Sequence, residues 1–167
     1  EADFGTFENH TYEELKDDGW WARFLSNHDK PRQVSLYGDD GKYRVRSAKM
    51  LCALMEMLPG TPFVYQGEEI GMANVYYGSI EEYDDPSTQD FYREMIATGH
   101  TPEEALREAQ LVSRDNARSP MQWTAGVNAG FSTERPWLGV NPDSSEWNAE
   151  SQIGKKDSIF SFYKEMI

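Results

Sequence analysis

The stretch FLSNHDKPR (24–32) sets His28 and Asp29 side by side, directly after a short apolar run and ahead of a Lys-Pro-Arg turn. A carboxylate beside an imidazole at the mouth of an apolar segment has two readings. It closes a hydrogen-bonded turn, or it offers a charge and a donor to a bound polar ligand. A second stretch, RDNARSPMQW (114–123), carries Arg114, Asp115 and Arg118. A guanidinium fork there can hold a carboxylate while its remaining N–H groups face hydroxyls. A third, GTPFVYQGEE (60–69), ends in Glu68 and Glu69. The acid run Glu81, Glu82, Asp84, Asp85 lacks the ordered spacing of a calcium loop. It reads as a solvated loop face, so no metal site is expected. His10 and His100 stand alone in polar surroundings and read as solvated.

The elements that must position these groups follow from periodicity. Residues 8–18 have the composition of a short polar helix. WWARFL (20–25) is near-continuously apolar, the pattern of a strand buried on both faces in a parallel sheet. GDDGK (38–42) is a turn, and a helix follows with Tyr43, Ser47, Met50, Leu51, Leu54 and Leu58 on one face. Pro59-Gly60 breaks it, and PFVY (62–65) reads as a second strand. Strand, helix, strand in that order predicts a parallel βαβ unit with a right-handed crossover. Both chemistry-bearing loops then leave the same ends of neighbouring strands.

Beyond Gly71 regularity loosens. A helix is expected over 88–98. Thr101-Pro102-Glu103-Glu104 is a capping box that opens another helix. Residues 113–153 are irregular, and a last helix is expected over about 157–167. Some eighty residues without a strand is a long connection, and long loops after sheet strands are where sites are assembled.

Composition narrows the partners. Sixteen basic against 29 acidic residues give a net charge of −13, the wrong sign for nucleic acid or an anionic membrane surface. No run of eighteen apolar residues is present. Cys52 is the single cysteine, which excludes an internal disulfide and reads as core filler. Five Trp and nine Tyr suit sugar-stacking platforms and ordinary cores alike. The first residue is Glu rather than Met, as expected of a piece of a longer chain.

Four segments in this order, NHDKPR (27–32), GTPFVYQGEEIGM (60–72), RDNARSPMQW (114–123) and NAGFS…PWLGVNP (128–142), resemble the oligo-1,6-glucosidase and α-glucosidase branch of the α-amylase superfamily, glycoside hydrolase family 13. The resemblance covers essentially the whole chain, 1–167. It implies an α/β fold: the C-terminal quarter of a (β/α)8 TIM barrel, with the seventh and eighth strands near 20–25 and 62–65 and the seventh and eighth helices at 43–58 and about 157–167. Residues of about 72–156 would be a long insertion after the eighth strand that walls the sugar pocket.

The resemblance implies a retaining, exo-acting glycosidase acting on terminal α-1,6 or α-1,4 glucosidic bonds. The nucleophilic Asp and acid/base Glu would lie upstream of residue 1. Asp29 would be the third carboxylate, stabilising the transition state through sugar hydroxyls, with His28 donating to the same hydroxyls. Arg118 would bind substrate and close the pocket behind one glucose. Arg114 and Asp115 would hold their loop by a salt bridge, Trp123 and Trp137 would serve loop packing in preference to stacking on sugar, and Glu69 would be structural. No cofactor is implied. The partners would be an oligosaccharide substrate and the remainder of the barrel, without nucleic acid or membrane, and the location cytoplasmic. Trehalose-6-phosphate hydrolase, sucrose isomerase and the non-catalytic barrel of amino-acid-transporter heavy chains are the alternatives. Lys30 departs from the Gln usual at that place and bears on substrate preference. A quarter barrel leaves strand edges open, so the isolated fragment is expected to be inactive and to self-associate.

Overall fold

The computed structural model describes residues 12–14 and 17–167. The polar helix expected over 8–18 falls largely outside the described residues, as does His10; residues 12–14 are helical. Two strands pair in parallel: β1 (Ala22–Arg23) and β2 (Thr61–Pro62), with Ala22 opposite Thr61 and Arg23 opposite Pro62. The ladder runs from Thr61 N to Trp21 O and from Phe63 N to Arg23 O, both 2.7 Å. Between the strands come α1 (Gln33–Tyr37) and α2 (Arg44–Glu56), so the parallel βαβ order is present. Both strands are shorter than their apolar runs. Among the described residues each has one neighbour, and Trp20, Phe24, Phe63 and Val64 are exposed. Burial on both faces, read from WWARFL, is therefore not met within this chain.

The break between helix and strand depends on Gly60. Its φ is +125°, a region closed to L side chains, and a Cβ there would meet the Trp21 carbonyl oxygen at 2.9 Å.

The buried face of α2 is Arg44, Ala48, Leu51 and Cys52, not the face through Tyr43, Ser47 and Met50. The reason is its neighbour. Helix α7 (Ile159–Met166) packs on α2, and Ile159 and Tyr163 join Ala48, Cys52, Val34 and Ala73 in one cluster. Small residues let the two helices approach. Arg44 turns inward because Nε donates to Gly71 O at 2.7 Å, Nη1 pairs with Asp143, and the guanidinium lies 4.1 Å from the Trp147 ring centre.

Helix α3 (Pro86–Ala97) starts two residues before the expected 88, because Asp85 caps it by accepting from Ser87 N and Pro86 fits the first turn. Helix α4 (Pro102–Val112) opens on the expected box, with Thr101 and Glu104 exchanging bonds, and packs on α3. The short α5 (Asp115–Arg118), two 3-10 turns (Val127–Gly130 and Pro142–Ser145) and α6 (Ala149–Gln152) then lead to α7, capped by Ser158. Among the described residues no helix is long and apolar enough to cross a membrane.

The irregular segments are well buried. Ile70, Met72, Met121 and Ala149 form one cluster, and Val75, Tyr77 and Tyr83 another. Their backbone groups need partners away from water, and side chains supply them. Asn116 accepts from Val75 N at 2.9 Å and donates to Gln110 O at 2.8 Å. Gln152 donates to Ile70 O at 2.7 Å, and Gln122 to Trp147 O at 2.6 Å.

Candidate active site

Chain direction places the site. β1 and β2 run parallel, so the loops at 26–32 and 66–72 leave the same end of the sheet. The first bends at once: Asn27 Oδ1 accepts from Asp29 N at 2.8 Å, and Lys30 N donates to Asn27 O at 3.2 Å. This turn points Asp29 outward, and its side chain is 46% exposed.

Helix α5 arrives from 89 residues further on. Arg118 Nη2 donates to Asp29 Oδ1 at 2.8 Å, and its Nε to His28 O at 3.0 Å. His28 Nε2 lies 3.1 Å from Asp29 Oδ2. Arg114 Nη1 is 3.5 Å from Asp29 Oδ1. One solvent-accessible carboxylate thus has two guanidiniums on one oxygen and an imidazole on the other. A hydroxyl-rich ligand approaching it meets an acceptor in Asp29 and donors in the three cationic or imidazole groups.

Behind this layer lies a buried one. Arg114 grips Asp85 through Nε, 3.2 Å from each carboxylate oxygen, and through Nη2, which also reaches Ser87 Oγ at 2.6 Å. Burial pushes the Asp85 carboxyl up, but bonds from Arg114, Thr88 and Ser87 outweigh it and hold it well below the usual carboxylate range. Asp115, fully buried, accepts from Asp84 N at 2.8 Å and Asp85 N at 2.9 Å, and its other oxygen is 3.8 Å from Arg118 Nη1.

A family model described as the alpha-amylase catalytic domain matches residues 2–167. The chain belongs to the alpha-amylase family. It is 48% identical over 155 residues to the oligo-1,6-glucosidase of Parageobacillus thermoglucosidasius, covering 92% of this chain and 28% of that protein. Among solved structures, it matches a trehalose-6-phosphate hydrolase of Bacillus licheniformis with a TM-score of 0.90 at 43% identity, covering 99% of this chain and 31% of that one. The isomaltulose synthase of Erwinia rhapontici NX5 matches with a TM-score of 0.89 at 39% identity, covering 98% and 30%. The chain therefore spans between a quarter and a third of the length of the relatives it matches.

Within this alpha-amylase chain, His28, Asp29 and Arg118, named from sequence, converge in one exposed cluster. Lys30 is exposed beside it, and no ion pair to it is found among the described residues. Glu69 caps a turn, accepting from Gly67 N at 2.7 Å. Arg114 and Asp115 do brace their loop, but through Asp85 and the 84–85 backbone rather than through each other. Trp123 and Trp137 are half or more exposed, and Trp137 Nε1 ties its loop to the acid run by donating to Asp84 Oδ2 at 2.6 Å. The acid run is not a solvated face throughout, since Asp85 is buried and ion-paired. His100 is exposed, with Nδ1 near Met95 O and Thr98 Oγ1.

Three buried groups escaped the sequence reading: Asp85, Arg32 and Glu68. Arg32 donates from Nε to Asn116 O at 3.0 Å, from Nη1 to Gln66 O at 2.6 Å and from Nη2 to Ala117 O at 3.1 Å. Burial lowers its pKa to about 10. Glu68 accepts from Ser26 Oγ and, at 3.0 Å, from Tyr65 N; burial pushes its carboxyl up to about 7. The only signal for them was position, since each lies inside a segment already singled out: Arg32 in NHDKPR, Glu68 in GTPFVYQGEE and Asp85 in the acid run.

Proposed function

We propose that this chain is the C-terminal quarter of a (β/α)8 barrel, with β1 and β2 as its seventh and eighth strands and residues of about 72–156 as the insertion over the pocket. The parent protein is a retaining, exo-acting α-glucosidase of the hydrolase class that cleaves terminal α-1,6 or α-1,4 glucosidic bonds of short oligosaccharides. Its nucleophile and acid/base carboxyl belong to segments upstream. The observation that carries this reading is the meeting of Asp29 and Arg118 at 2.8 Å, from opposite halves of the chain and open to solvent.

The chemistry follows from charge. Retaining hydrolysis passes through an oxocarbenium-like transition state in which hydrogen bonds to sugar hydroxyls tighten. Asp29, anionic and partly desolvated by the two guanidiniums, accepts from hydroxyls of the ring whose anomeric carbon becomes cationic. It stabilises that charge without attacking. His28 donates to the same ring. Arg118 holds Asp29 with one nitrogen and leaves others for a hydroxyl of the same glucose, which closes the pocket at its non-reducing end. No cofactor takes part. The substrate is neutral, and nucleic acid and membrane are not partners of a chain this acidic. A cytoplasmic location suits such an enzyme.

The relatives include proteins named for two of the alternatives. Trehalose-6-phosphate hydrolysis and sucrose isomerisation use a comparable site, and Lys30 beside Asp29 is the residue through which an anionic substrate would differ from a neutral one. A non-catalytic barrel of the transporter heavy-chain type would have no use for an exposed Asp29–Arg118 pair. The test is Asp29→Asn in the full-length parent, assayed on isomaltose, maltose, trehalose 6-phosphate and sucrose. We expect kcat for the preferred substrate to fall by about three orders of magnitude or more, the scale of losing a group that acts only in the transition state, with the thermal midpoint unchanged. The 167-residue chain alone should turn over none of the four. Unchanged kcat, or turnover by the isolated chain, overturns the reading.

A further inference from the structure

Arg114 has two carboxylates of different kinds. One, Asp29, is in the site and exposed. The other, Asp85, has a side chain only 1% exposed and lies in the acid run at the head of α3. Asp85 takes five donors: Ser87 N and Oγ, Thr88 Oγ1 at 2.8 Å, and Arg114 through both Nε and Nη2. The network closes on itself. Ser113 Oγ donates to Thr88 Oγ1 at 2.9 Å and accepts from Asp115 N at 3.2 Å, and Asp115 Oδ2 accepts from the backbone of residues 84 and 85. The Thr88–Ser113, Asp115–backbone and Arg114–Asp85 links tie the start of α3 to the turn that carries Arg114 and Arg118.

We infer that Asp85 is a positioning residue for the site, acting through Arg114 to set the orientation of the Asp29 carboxylate. The inference rests on the proposed glycosidase reading. An N-cap needs one acceptor for the first backbone N–H groups, and Asn or Ser serves as well as Asp. Asp85 goes beyond this. A buried negative charge is costly unless it is paired, and here its pair is a guanidinium with one nitrogen left over. A side-on grip through Nε and Nη2 fixes the plane of that guanidinium, and the remaining Nη1 is the atom aimed at Asp29 Oδ1. The long insertion thereby supplies a rigid mount: α3 and its capping carboxylate hold one of two cations on the reactive side of the molecule. Without that mount Arg114 is a flexible side chain 38% exposed, free to turn into solvent or to take Asp29 with it.

The decisive experiment uses the full-length parent enzyme and separates the cap from the charge. Asp85→Asn keeps a capping acceptor and removes the charge. Asp85→Ala removes both. We expect Asp85→Asn to lower kcat/KM about tenfold or more, toward the ~100-fold that a misplacement of about 1 Å costs, while its thermal midpoint stays close to wild type. The double-mutant cycle supplies the readout that a purely structural role would not move. If Asp85 acts through Arg114, Asp85→Asn combined with Arg114→Met is no slower than Arg114→Met alone. Losses that multiply across the pair overturn the inference, as does a wild-type kcat/KM in Asp85→Asn. Should Asp85→Asn fail to fold, Thr88→Val removes one donor to Asp85 and leaves the charge. Its smaller loss must vanish in the Arg114→Met background, and persistence of that loss also overturns the inference. Activity of the wild-type parent, measured alongside, keeps this outcome distinct from failure of the glycosidase reading.

Discussion

The strand pair and the irregular insertion invert what their sequences suggest. β1 and β2 lie at the short apolar runs WWARFL and PFVY, yet in those runs Trp20 is 76% and Phe63 56% exposed. The insertion is rich in Asn, Gly and Asp, yet Asp115, Asn116 and Gln122 are wholly buried. The difference lies in where each region finds partners. A strand completes itself only with strands on both edges, and the two strands among the described residues leave two edges open. The insertion completes itself internally, because its amide and guanidinium side chains reach backbone groups tens of residues away.

The most severe way to break that contrast is to remove the centre of the buried region. Arg32 joins the loop after β1 to Gln66 beyond β2 and to Asn116 and Ala117 on α5 through three carbonyl oxygens. Arg32→Met conserves much of the volume and strands all three acceptors. At about 1–3 kcal/mol for each buried group left unpaired, the expected loss is about 5 kcal/mol in chemical unfolding. Arg32→Lys should recover little, since one ammonium cannot span a planar fork's three acceptors. A cost below about 1 kcal/mol for Arg32→Met would mean that water replaces the guanidinium, and the insertion would not be self-sufficient.

The complementary test is on the naked side. In the full-length parent, where further strands are proposed to flank β1 and β2, Phe63→Ala should cost about 3–4 kcal/mol, as for a buried phenylalanine. In a protein where the ring stays in solvent, the same change stays within about 0.5 kcal/mol. The measured value therefore reports whether the exposed seam of this chain is an interface between parts of one barrel.

Periodicity and punctuation made the regular elements legible. The βαβ order, the Pro59-Gly60 break, the Thr101 capping box and the last helix after Ser158 all follow from local signals. The buried face of α2 was not legible, because Arg44 counts as polar in any periodic reading and is buried only by Gly71, Asp143 and Trp147. The same holds for the site. His28, Asp29 and Arg118 were visible as motif residues. The mount behind them was not, since Asp85 in an acid run looks like any solvated carboxylate until Arg114 and Thr88 are brought to it. Side-chain-to-backbone bonds across thirty to ninety residues have no period, and no window of sequence displays them.

Glu68 sits where the two regions meet, and its titration gives the mildest test of their division. Its carboxyl holds Ser26, just past β1, and the backbone of Tyr65, just past β2. Burial raises its pKa from 4.5 to about 7, helped slightly by Glu69 and opposed by the bonds from Ser26 and Tyr65 and by Arg32. The sign follows from proton counting. Between about 4.5 and 7 the folded protein keeps this proton and the unfolded chain releases it, so stability falls as pH rises through that window and levels off above it. The full drop is on the order of 3 kcal/mol. Glu68→Gln mimics the protonated form, its oxygen accepting from Tyr65 N and its amide donating to Ser26 Oγ. Urea unfolding of the two proteins should therefore agree near pH 4 and diverge toward pH 7.5, with Glu68→Gln the more stable. A stability difference that does not change with pH would mean that water reaches this carboxyl, and that the junction between strands and insertion is wet rather than sealed.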